Sequence, residues 1–356
     1  MPAGRMGPLG VPERGGFMRA APAFRSVSPG DPEPSMQVVP NVETLIGFYR
    51  SMLLIRVLEE RIGYLFLEGA ISGTLHQSLG QEAIAVGVCA ALEPEDVITS
   101  GHRPHAHAIA KGLDPTAFML ELFGKPGGCC GGKGGSMHIG DLSKGMIPSI
   151  AIVGGNIPVG TGAALAFKLR NEPRVSVCFS GDGGVAEGAF HESVNMAAIW
   201  DLPVVYVIEN NRYAASTHFS RNTKLKQLSA IGQAYGIPGV TIDGNDVGAV
   251  FTTSHNAVQR ARQGGGPTII EAMTYRITGH NRRDPCNYMP LDERDKALQE
   301  EPVRRLEQLL IARGAMDANG LDAIRRELQE QVERAVEAAT TAPEHDLSEL
   351  MTDVFA

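Results

Sequence analysis

Two short polar sequences, each placed directly after an apolar run, constrain the fold of this chain more than any other feature. Glycine, aspartate and glycine occupy 181–183 after the run 174–180, and glutamate and two asparagines follow the run 204–208. Between them, 187–200 carries apolar side chains at spacings of three and four, which predicts a helix. In a strand-helix-strand unit the strands run parallel and the crossover is right-handed, so both polar sequences lie at one edge of a sheet. Open α/β sheets bind ligands at that edge.

The residue types at this edge favour a magnesium-diphosphate site. Asp182 offers a carboxylate oxygen and Asn211 an amide oxygen, which are ligands that Mg²⁺ prefers beside water and phosphate. Gly183 and Gly184 allow the backbone to approach closely, and a helix starting just after them would direct N–H groups and a positive dipole end at the phosphates. A Gly-Asp-Gly tripeptide alone is typical of a turn. The asparagines at the next strand end favour the metal site over that alternative.

The rest of the chain predicts one α/β domain at 39–290, with a parallel sheet that carries helices on both faces. Helices are expected at 42–66 and 83–92, and a strand at 268–272 leads into a loop near the same edge. A helical C-terminal extension of this domain is expected at 291–356, and we expect it to pack through a stripe of apolar side chains: Leu321, Ile324, Leu328, Val332 and Val336.

Residues 1–38 are rich in proline, glycine, alanine and arginine and have little apolar periodicity. This composition predicts a disordered N-terminal arm. A transit peptide is a weaker interpretation, because an acidic residue and scattered prolines interrupt the segment. A translation start at Met36 would leave out most of this segment.

Charge and cysteine content narrow the class of protein. The chain has 32 Lys and Arg against 40 Asp and Glu, a net charge of −8, which argues against nucleic-acid binding. No apolar run is long enough to span a bilayer. Five cysteines without an export signal or zinc-type spacing predict reduced thiols, with Cys178 in the core and the pair Cys129 and Cys130 inert. We therefore expect a cytoplasmic protein, with the mitochondrial matrix as the alternative.

Five further sequence motifs accompany the metal motif in a recognisable order. They read TLHQSLGQEA at 74–83, ITSGHRPHAH at 98–107, GKGGSMH at 132–138, IVGGN at 152–156 and YRITGH at 275–280. Over about residues 41–340 the chain resembles the alpha subunits of the thiamine diphosphate-dependent decarboxylating components of 2-oxo acid dehydrogenase complexes, of the pyruvate and acetoin type. The resemblance implies a thiamine diphosphate-binding fold and thiamine diphosphate with Mg²⁺ as cofactors.

The resemblance also implies roles for individual residues. Magnesium would be bound by the side chains of Asp182 and Asn211 and by the backbone carbonyl of Tyr213, and the amides of Gly183 and Gly184 would lie beneath the diphosphate. Four side chains would contact the phosphates, namely those of His102, Arg103, Arg276 and His280.

The remaining implied roles concern the aminopyrimidine ring and the substrate. The backbone at Ala151 and Val153 would hydrogen-bond the ring, and His76 would face the substrate channel. His76 and His280 are expected to assist proton or acyl transfer. Pyruvate-specific relatives usually carry tyrosine where this chain has His102, so the acetoin-type branch is closer at that position.

A catalytic carboxylate is missing from this set of residues. The resemblance implies that a beta subunit supplies the glutamate, in a 2:2 heterotetramer, and that the acyl unit passes to a lipoyl-bearing acyltransferase. The implied substrate is pyruvate, a branched-chain 2-oxo acid or acetoin. Half of a split transketolase-like enzyme that moves two-carbon units is the alternative. A cofactor-binding scaffold without catalysis is disfavoured, because Asp182, Asn211, Arg103 and His280 are intact.

Three features lie outside this pattern. Arg282 and Arg283 stand where relatives commonly have small or acidic residues, which makes an acidic substrate or partner conceivable. The glycine-dense segment 124–135 is interpreted as a loop packed close to the cofactor or a partner rather than as a linker. The other histidines considered are expected to be merely solvated: His105, His107, His191, His218, His255 and His345.

Overall fold

Residues 39–354 are described by a computed structural model of the chain. The helices are α1 Val42–Leu67, α2 Glu82–Cys89, α3 His105–Ala110, α4 Pro115–Leu122, α5 Asn156–Arg170, α6 Gly188–Ile199, α7 Phe219–Asn222, α8 Ile231–Ala234, α9 Val247–Arg262, α10 Leu291–Gln299, α11 Pro302–Ala312 and α12 Ala318–Thr341. The strands are β1 Val97–Thr99, β2 Ser176–Gly181, β3 Val204–Asn210, β4 Tyr213–Ala214, β5 Thr217–His218, β6 Gly239–Asp243 and β7 Thr268–Met273. Short 3₁₀ turns lie at Leu142–Lys144, Asp182–Ala186, Leu228–Ala230 and Leu347–Met351.

Five strands form one parallel sheet in the order β1-β2-β3-β7-β6. The predicted strand-helix-strand unit is β2, α6 and β3, and β2 pairs directly with β3. Gly181 is in register with Glu209. The two polar sequences therefore follow neighbouring strand ends, as the spacing predicts.

Helices cover both faces of the sheet, and the side chains of β3 show why. Val205 and Val207 lie in a core shared with α1, α2, α9 and α12. The alternate residues, Val204, Tyr206 and Ile208, lie in a second core with α5 and α6. Successive strand side chains point to opposite faces, so a strand that is apolar at every position is buried on both sides. The predicted α/β class with helices on both faces is confirmed.

The limits of the predicted elements agree with the structure to within a few residues. The helix expected at 42–66 is α1, where the Asn41 side chain caps the N-terminus by accepting a 2.8 Å hydrogen bond from the Thr44 backbone N–H. The strand expected from 174 begins at Ser176, and the helix expected at 83–92 is the shorter α2.

The C-terminal helices pack on the same core as α1. All five stripe residues of α12 are buried in that core, and α12 contacts both α1 and α4. The predicted packing of the stripe is therefore observed. The division of the chain at residue 290 stays a prediction, since the two parts share this core. The N-terminal arm predicted at 1–38 lies outside the described residues.

The glycine-dense segment 124–135 wraps around one buried carboxylate. Glu121 Oε2 accepts the N–H groups of Cys130 and Gly132 at 2.7 and 2.8 Å, and Oε1 accepts those of Gly134 and Gly135 at 2.7 and 2.9 Å. The segment is an ordered loop because one side chain satisfies four of its backbone donors. In the part of the chain that the structure covers, no helix has the length and apolar character needed to cross a membrane.

Candidate functional site

A cavity of about 330 Å³ opens beyond the carboxyl ends of β2 and β3. The side chains and loops that follow β1 and β7 complete its wall. Ten of the residues predicted for the site line it: His102, Arg103, Val153, Asp182, Gly183, Gly184, Asn211, Tyr213, Arg276 and His280. Of the other two, His76 lies behind the wall with its ring against His102 and His280, and Ala151 precedes the lining segment. The topology thus brings almost the whole predicted set together.

Asp182 is a buried carboxylate whose charge is only partly balanced by that of Arg276. Its Oδ2 atom has no hydrogen-bond partner among the described residues, and burial raises its pKa to about 6. The residue starts the 3₁₀ turn Asp182–Ala186, and α6 begins only at Gly188. The helix predicted at 187–200 is α6, and a 3₁₀ turn that contains both glycines precedes it, so the N-terminus of α6 does not begin directly at Gly184. A cation beside Oδ2 would relieve the cost of ionising this group.

Two more oxygen atoms that could bind a metal ion follow β3. The Asn211 amide nitrogen donates to Gln81 Oε1 at 3.0 Å, and its oxygen accepts the Tyr213 N–H at 3.4 Å. Between them Arg212 has a φ of 76°, which turns the chain sharply toward β4. The Tyr213 carbonyl, one of the predicted metal ligands, accepts a 3.1 Å hydrogen bond from Arg276. Its second lone pair is the one that a metal would use.

The positions of Gly183 and Gly184 have no room for a side chain. A Cβ added at Gly183 would lie 2.8 Å from the Ala214 Cβ, and one added at Gly184 would lie 2.2 Å from the Ser180 Oγ. Any side chain at either position would force the neighbouring segments apart. The backbone therefore forms this part of the cavity wall directly.

Two buried guanidinium groups face the same cavity. Arg103 donates to the carbonyl of Gln77 and, at 3.0 Å, to that of His280. Burial, followed by the like charge of Arg276, lowers its pKa to about 9. Both effects penalise the cation, so an anion bound in the cavity would stabilise it.

Arg276 is 1% exposed and is bonded on nearly every side. It donates to the carbonyls of Thr278, Tyr213 and Ala215 and to the Tyr288 hydroxyl, at 2.8 to 3.2 Å. Four of the five N–H groups of a guanidinium are thereby used. Arg276 thus fixes the turn after β3 as well as lining the cavity.

Three imidazoles form a cluster at the edge of the cavity. Ring centroids are 4.8 Å apart for His76 and His102, 4.9 Å for His76 and His280, and 5.4 Å for His102 and His280. Burial, followed by the charge of Arg103, lowers the pKa to about 3 for His76, about 2 for His102 and about 4 for His280. All three rings are therefore neutral near pH 7.

Sequence reasoning missed two groups in the cavity wall. His107 Nε2 lies 3.2 Å from Glu209 Oε1, its Nδ1 lies 2.8 Å from Ser100 Oγ, and its ring stacks on Phe179 at 3.8 Å. Both His107 and Glu209 line the cavity. The signal for Glu209 was present, because side chains alternate along a strand and Glu209 is two residues before Asn211.

The expectation that His105 and His107 are merely solvated was wrong. Both are on α3 and are 0% and 2% exposed. His105 bridges the Glu59 carboxylate at 3.1 Å and the Ser136 hydroxyl at 2.9 Å. The other four histidines are half-buried and contact a neighbour: His191 meets Tyr235, His218 meets Ser220, His255 meets Phe251 and His345 meets Glu349.

The two unusual arginines after His280 contact α1. Arg282 donates its backbone N–H to the Leu75 carbonyl at 2.9 Å and its Nε to the Gly63 carbonyl at 3.3 Å. The Arg283 guanidinium lies 5.1 Å from the centre of the Phe66 ring. These contacts tie the loop to the first helix, which gives both residues a role without an acidic substrate.

The chain was compared with proteins of known family. Residues 49–348 match the family described as dehydrogenase E1 component. The alpha subunit of the acetoin:2,6-dichlorophenolindophenol oxidoreductase of Bacillus subtilis is 45% identical over 314 residues, which are 88% of this chain and 94% of that protein. The corresponding subunit of Cupriavidus necator is 43% identical, over the same shares of the two chains. The alpha subunit of the pyruvate dehydrogenase E1 component of Rhizobium meliloti is 41% identical over 86% of this chain and 88% of that protein.

The fold and the cavity define an α/β enzyme whose ligand lies at the strand ends of a parallel sheet. The chain belongs to the dehydrogenase E1 component family, whose members are oxidoreductases that use thiamine diphosphate. The predicted family and type of enzyme are confirmed, and the transketolase-like alternative receives no support.

The residues present fit this cofactor. The cavity is lined by a buried carboxylate oxygen that has no partner in the described region, Asp182 Oδ2, and by two buried cations, Arg103 and Arg276. A metal ion satisfies the first and a diphosphate the second. The bare glycine backbone lets both approach the wall.

Proposed function

We propose that this chain is the alpha subunit of a thiamine diphosphate- and Mg²⁺-dependent dehydrogenase, and that it supplies the half of the active site that binds metal and diphosphate. The observation that carries the proposal is the pairing, in one cavity, of the unpartnered Asp182 oxygen with two buried arginines. Among the described residues the Asp182 oxygen has no partner, and the two guanidinium groups donate to backbone carbonyls and a tyrosine hydroxyl rather than to a carboxylate. A magnesium-diphosphate unit complements both at once.

The proposed Mg²⁺ ligands are three oxygen atoms, and two neighbouring side chains hold them in place. Asp182 and Asn211 bind Mg²⁺ through their side chains and Tyr213 through its carbonyl. Gln81 orients the Asn211 amide so that one lone pair of its oxygen remains for the metal beside the Tyr213 N–H. Arg276 holds the Tyr213 carbonyl in place by donating a 3.1 Å hydrogen bond to it.

The donors to the phosphates lie around the same cavity. Arg103, Arg276, His102 and His280 line it and would contact the phosphates, Arg276 through its one remaining N–H group, and the backbone at Gly183 and Gly184 would contribute amides. The backbone at Ala151 and Val153 binds the aminopyrimidine ring. When bound, thiamine diphosphate supplies the electron sink that allows the bond next to a carbonyl carbon to break.

Two neutral imidazoles, those of His76 and His280, are proposed to assist proton transfer. The Nδ1 atoms of His76 and His280 have no hydrogen-bond partner among the described residues. A bound anionic phosphate would offset part of the charge of Arg103 that lowers their pKa, and the rings could then accept a proton from substrate at these atoms and return it. The centre of the His76 ring lies 4.8 Å from that of His102 and 4.9 Å from that of His280, so His76 would act on a group that reaches these two side chains.

A beta subunit completes the site. The names of the relatives as alpha subunits imply such a partner. Two glutamates, Glu187 and Glu209, also line the cavity, and Glu209 lies 3.2 Å from His107. We propose a 2:2 heterotetramer in which the beta subunit brings the catalytic glutamate. Ile152 and Val153 are exposed apolar side chains in the segment that borders the cavity, which supports a subunit contact there.

The substrate is acetoin or a 2-oxo acid such as pyruvate or a branched-chain relative, and the acyl unit passes to a lipoyl-bearing acyltransferase. Acetoin is tested first, because His102 occupies the position at which pyruvate-specific members usually carry tyrosine. The cytoplasm is the proposed compartment, by analogy with the bacterial relatives.

The test is turnover by the chain alone and with its candidate beta subunit, with thiamine diphosphate, Mg²⁺ and an artificial electron acceptor. The substrate panel contains acetoin, pyruvate, branched-chain 2-oxo acids and sugar phosphates. We expect turnover of acetoin or a 2-oxo acid by the pair alone. Two-carbon transfer between sugar phosphates without an acceptor, or full activity of the isolated chain, would overturn the proposal.

A further inference from the structure

The histidine cluster has the composition of a transition-metal site as well as of a phosphate site. One ligand atom from each of His76, His102 and His280 lies within 4.8 Å of the other two. Three imidazoles with one open position are a common ligand set for zinc. We propose that these three side chains bind one zinc-class divalent ion in the cofactor-free chain, at a site distinct from the oxygen ligands of Mg²⁺.

Unused ligand atoms support this inference. His76 is 6% exposed, yet its Nδ1 has no partner in the region the structure covers, and the same holds for Nδ1 of His280. A buried imidazole usually has both ring nitrogens satisfied. These two nitrogens are therefore available as ligand atoms.

The spacing requires only a modest approach of the three rings. Tetrahedral zinc with Zn–N distances of about 2.0–2.1 Å places its nitrogen ligands about 3.3 Å apart. All three histidines are outside the helices and strands: His76 precedes α2, His102 precedes α3 and His280 follows β7. Loop positions can shift by the remaining distance without breaking an element.

Arg103 and Arg276 are the cations that oppose a metal ion here. Their N–H groups already point to backbone carbonyls, among them those of His280 and Tyr213. The charges select an anionic fourth ligand, such as hydroxide or phosphate, which would lie between the metal and the guanidinium groups. Magnesium does not compete for this site, because it prefers oxygen ligands.

The second metal-capable group in the described region is less suited. It consists of Glu121, Cys129 and Cys130. Both carboxylate oxygens of Glu121 already accept two N–H groups each, and releasing them would free the glycine-rich loop. In the described region, the Nδ1 atoms of His76 and His280 have no such prior commitment.

A consequence follows that rests on the proposed function. His102 and His280 are the proposed phosphate contacts, so zinc and thiamine diphosphate exclude each other. Zinc then delays the loading of the cofactor onto the apoprotein, and it has little effect once the cofactor is bound.

The test uses Co²⁺ as a spectroscopic substitute for zinc on the untagged, cofactor-free chain. We expect one equivalent to bind with visible ligand-field absorption typical of nitrogen ligands, and Zn²⁺ to displace it. His76→Gln, His102→Gln and His280→Gln should each weaken binding by about 100-fold or more, since even loss of an outer-shell partner costs 10- to 100-fold. His255→Gln, on α9, is the matched control and should bind as the parent does.

Circular dichroism and thermal unfolding establish that each variant is folded, and three independent variants guard against the failure of one. Binding that all three variants retain, or thiolate charge-transfer absorption that assigns the ion to Cys129 and Cys130, would overturn the site. Adding thiamine diphosphate with Mg²⁺ should release the cobalt. Cobalt that stays bound would overturn the competition but leave the proposed function intact, whereas absence of cobalt binding would remove the site without touching the function.

Discussion

The side chain of Asn211 donates a 3.0 Å hydrogen bond to Gln81 Oε1, across 130 residues of sequence. This contact fixes which end of the amide faces which neighbour. The nitrogen points to Gln81 and the oxygen stays on the side of Tyr213. A residue outside the metal-binding set thereby determines whether Asn211 can act as an oxygen ligand.

Replacing Gln81 with methionine should therefore weaken Mg²⁺ binding while preserving most of the volume. The expected loss is about 10- to 100-fold in metal affinity, because the Asn211 amide can then rotate. The measurement is the Mg²⁺ dependence of thiamine diphosphate binding by the chain with its beta subunit. Gln227→Met, at an exposed position, is the control. Equal Mg²⁺ dependence in the two variants would show that Gln81 does not orient the ligand.

Glu121 should be required for stability rather than for chemistry. Glu121→Ala leaves four backbone N–H groups of the glycine-rich loop without their acceptor, and the free energy of unfolding should fall by about 3 kcal/mol or more. Urea unfolding measures this loss. Glu330→Ala removes a carboxylate from an exposed pair on α12 and should change stability by no more than about 0.5 kcal/mol. Similar losses for the two variants would contradict this assignment.

The sequence predicts those features that depend on local pattern. Asp182 and Asn211 follow apolar runs separated by one helix, and that spacing alone places them at neighbouring strand ends. The burial of His105 and His107 could not be read in the same way, because their partners Glu59 and Glu209 are 46 and 102 residues away. The contacts of Glu121 with the glycine-rich loop span only 9 to 14 residues, and they are hidden because no local pattern shows that one side chain accepts four backbone N–H groups. Groups stabilised by distant partners require the tertiary structure.

The histidine cluster predicts a pH dependence of stability for the cofactor-free chain. The folded-state pKa is about 3 for His76 and about 2 for His102, below the ordinary value of 6.5. Below pH 6.5 the unfolded chain takes up protons that the folded chain does not. The contribution of these two histidines to the free energy of unfolding is complete above that pH. It is lost progressively as the pH falls, by up to about 1.4 kcal/mol per pH unit for each histidine.

Denaturant unfolding between about pH 5 and pH 7.5 measures this slope. His102→Tyr removes one of the groups, and its unfolding free energy should depend less steeply on pH than that of the parent. His255→Gln provides the comparison for loss of a histidine outside the cluster. A slope in His102→Tyr equal to that of the parent would mean that His102 does not remain neutral in the fold.

The cysteines should differ sharply in reactivity. Burial raises the pKa of Cys89 and of Cys178 to about 12, whereas a hydrogen bond with Cys129 lowers the pKa of Cys130. Iodoacetamide at neutral pH should modify Cys130 first and should reach Cys89 and Cys178 only after unfolding. Peptide mass spectrometry over time follows each site, with Cys130→Ser as the control. Early modification of Cys89 would show that the core around α2 opens in the native state. The predicted fast modification of Cys130 would mean that the adjacent pair is not inert, contrary to the expectation from the sequence.

The most direct measurement is the binding of thiamine diphosphate to the chain paired with its beta subunit, by titration calorimetry with and without Mg²⁺, for the parent and for Asp182→Asn. This substitution keeps the shape of the side chain and removes the charge that the metal neutralises. We expect saturable, Mg²⁺-dependent binding by the parent and a loss of about 100-fold or more in Asp182→Asn, of the order of a missing charge-assisted contact. Equal affinity of the two proteins for the cofactor, with the same Mg²⁺ dependence, would contradict the assignment of Asp182 as the residue on which the metal-diphosphate site depends.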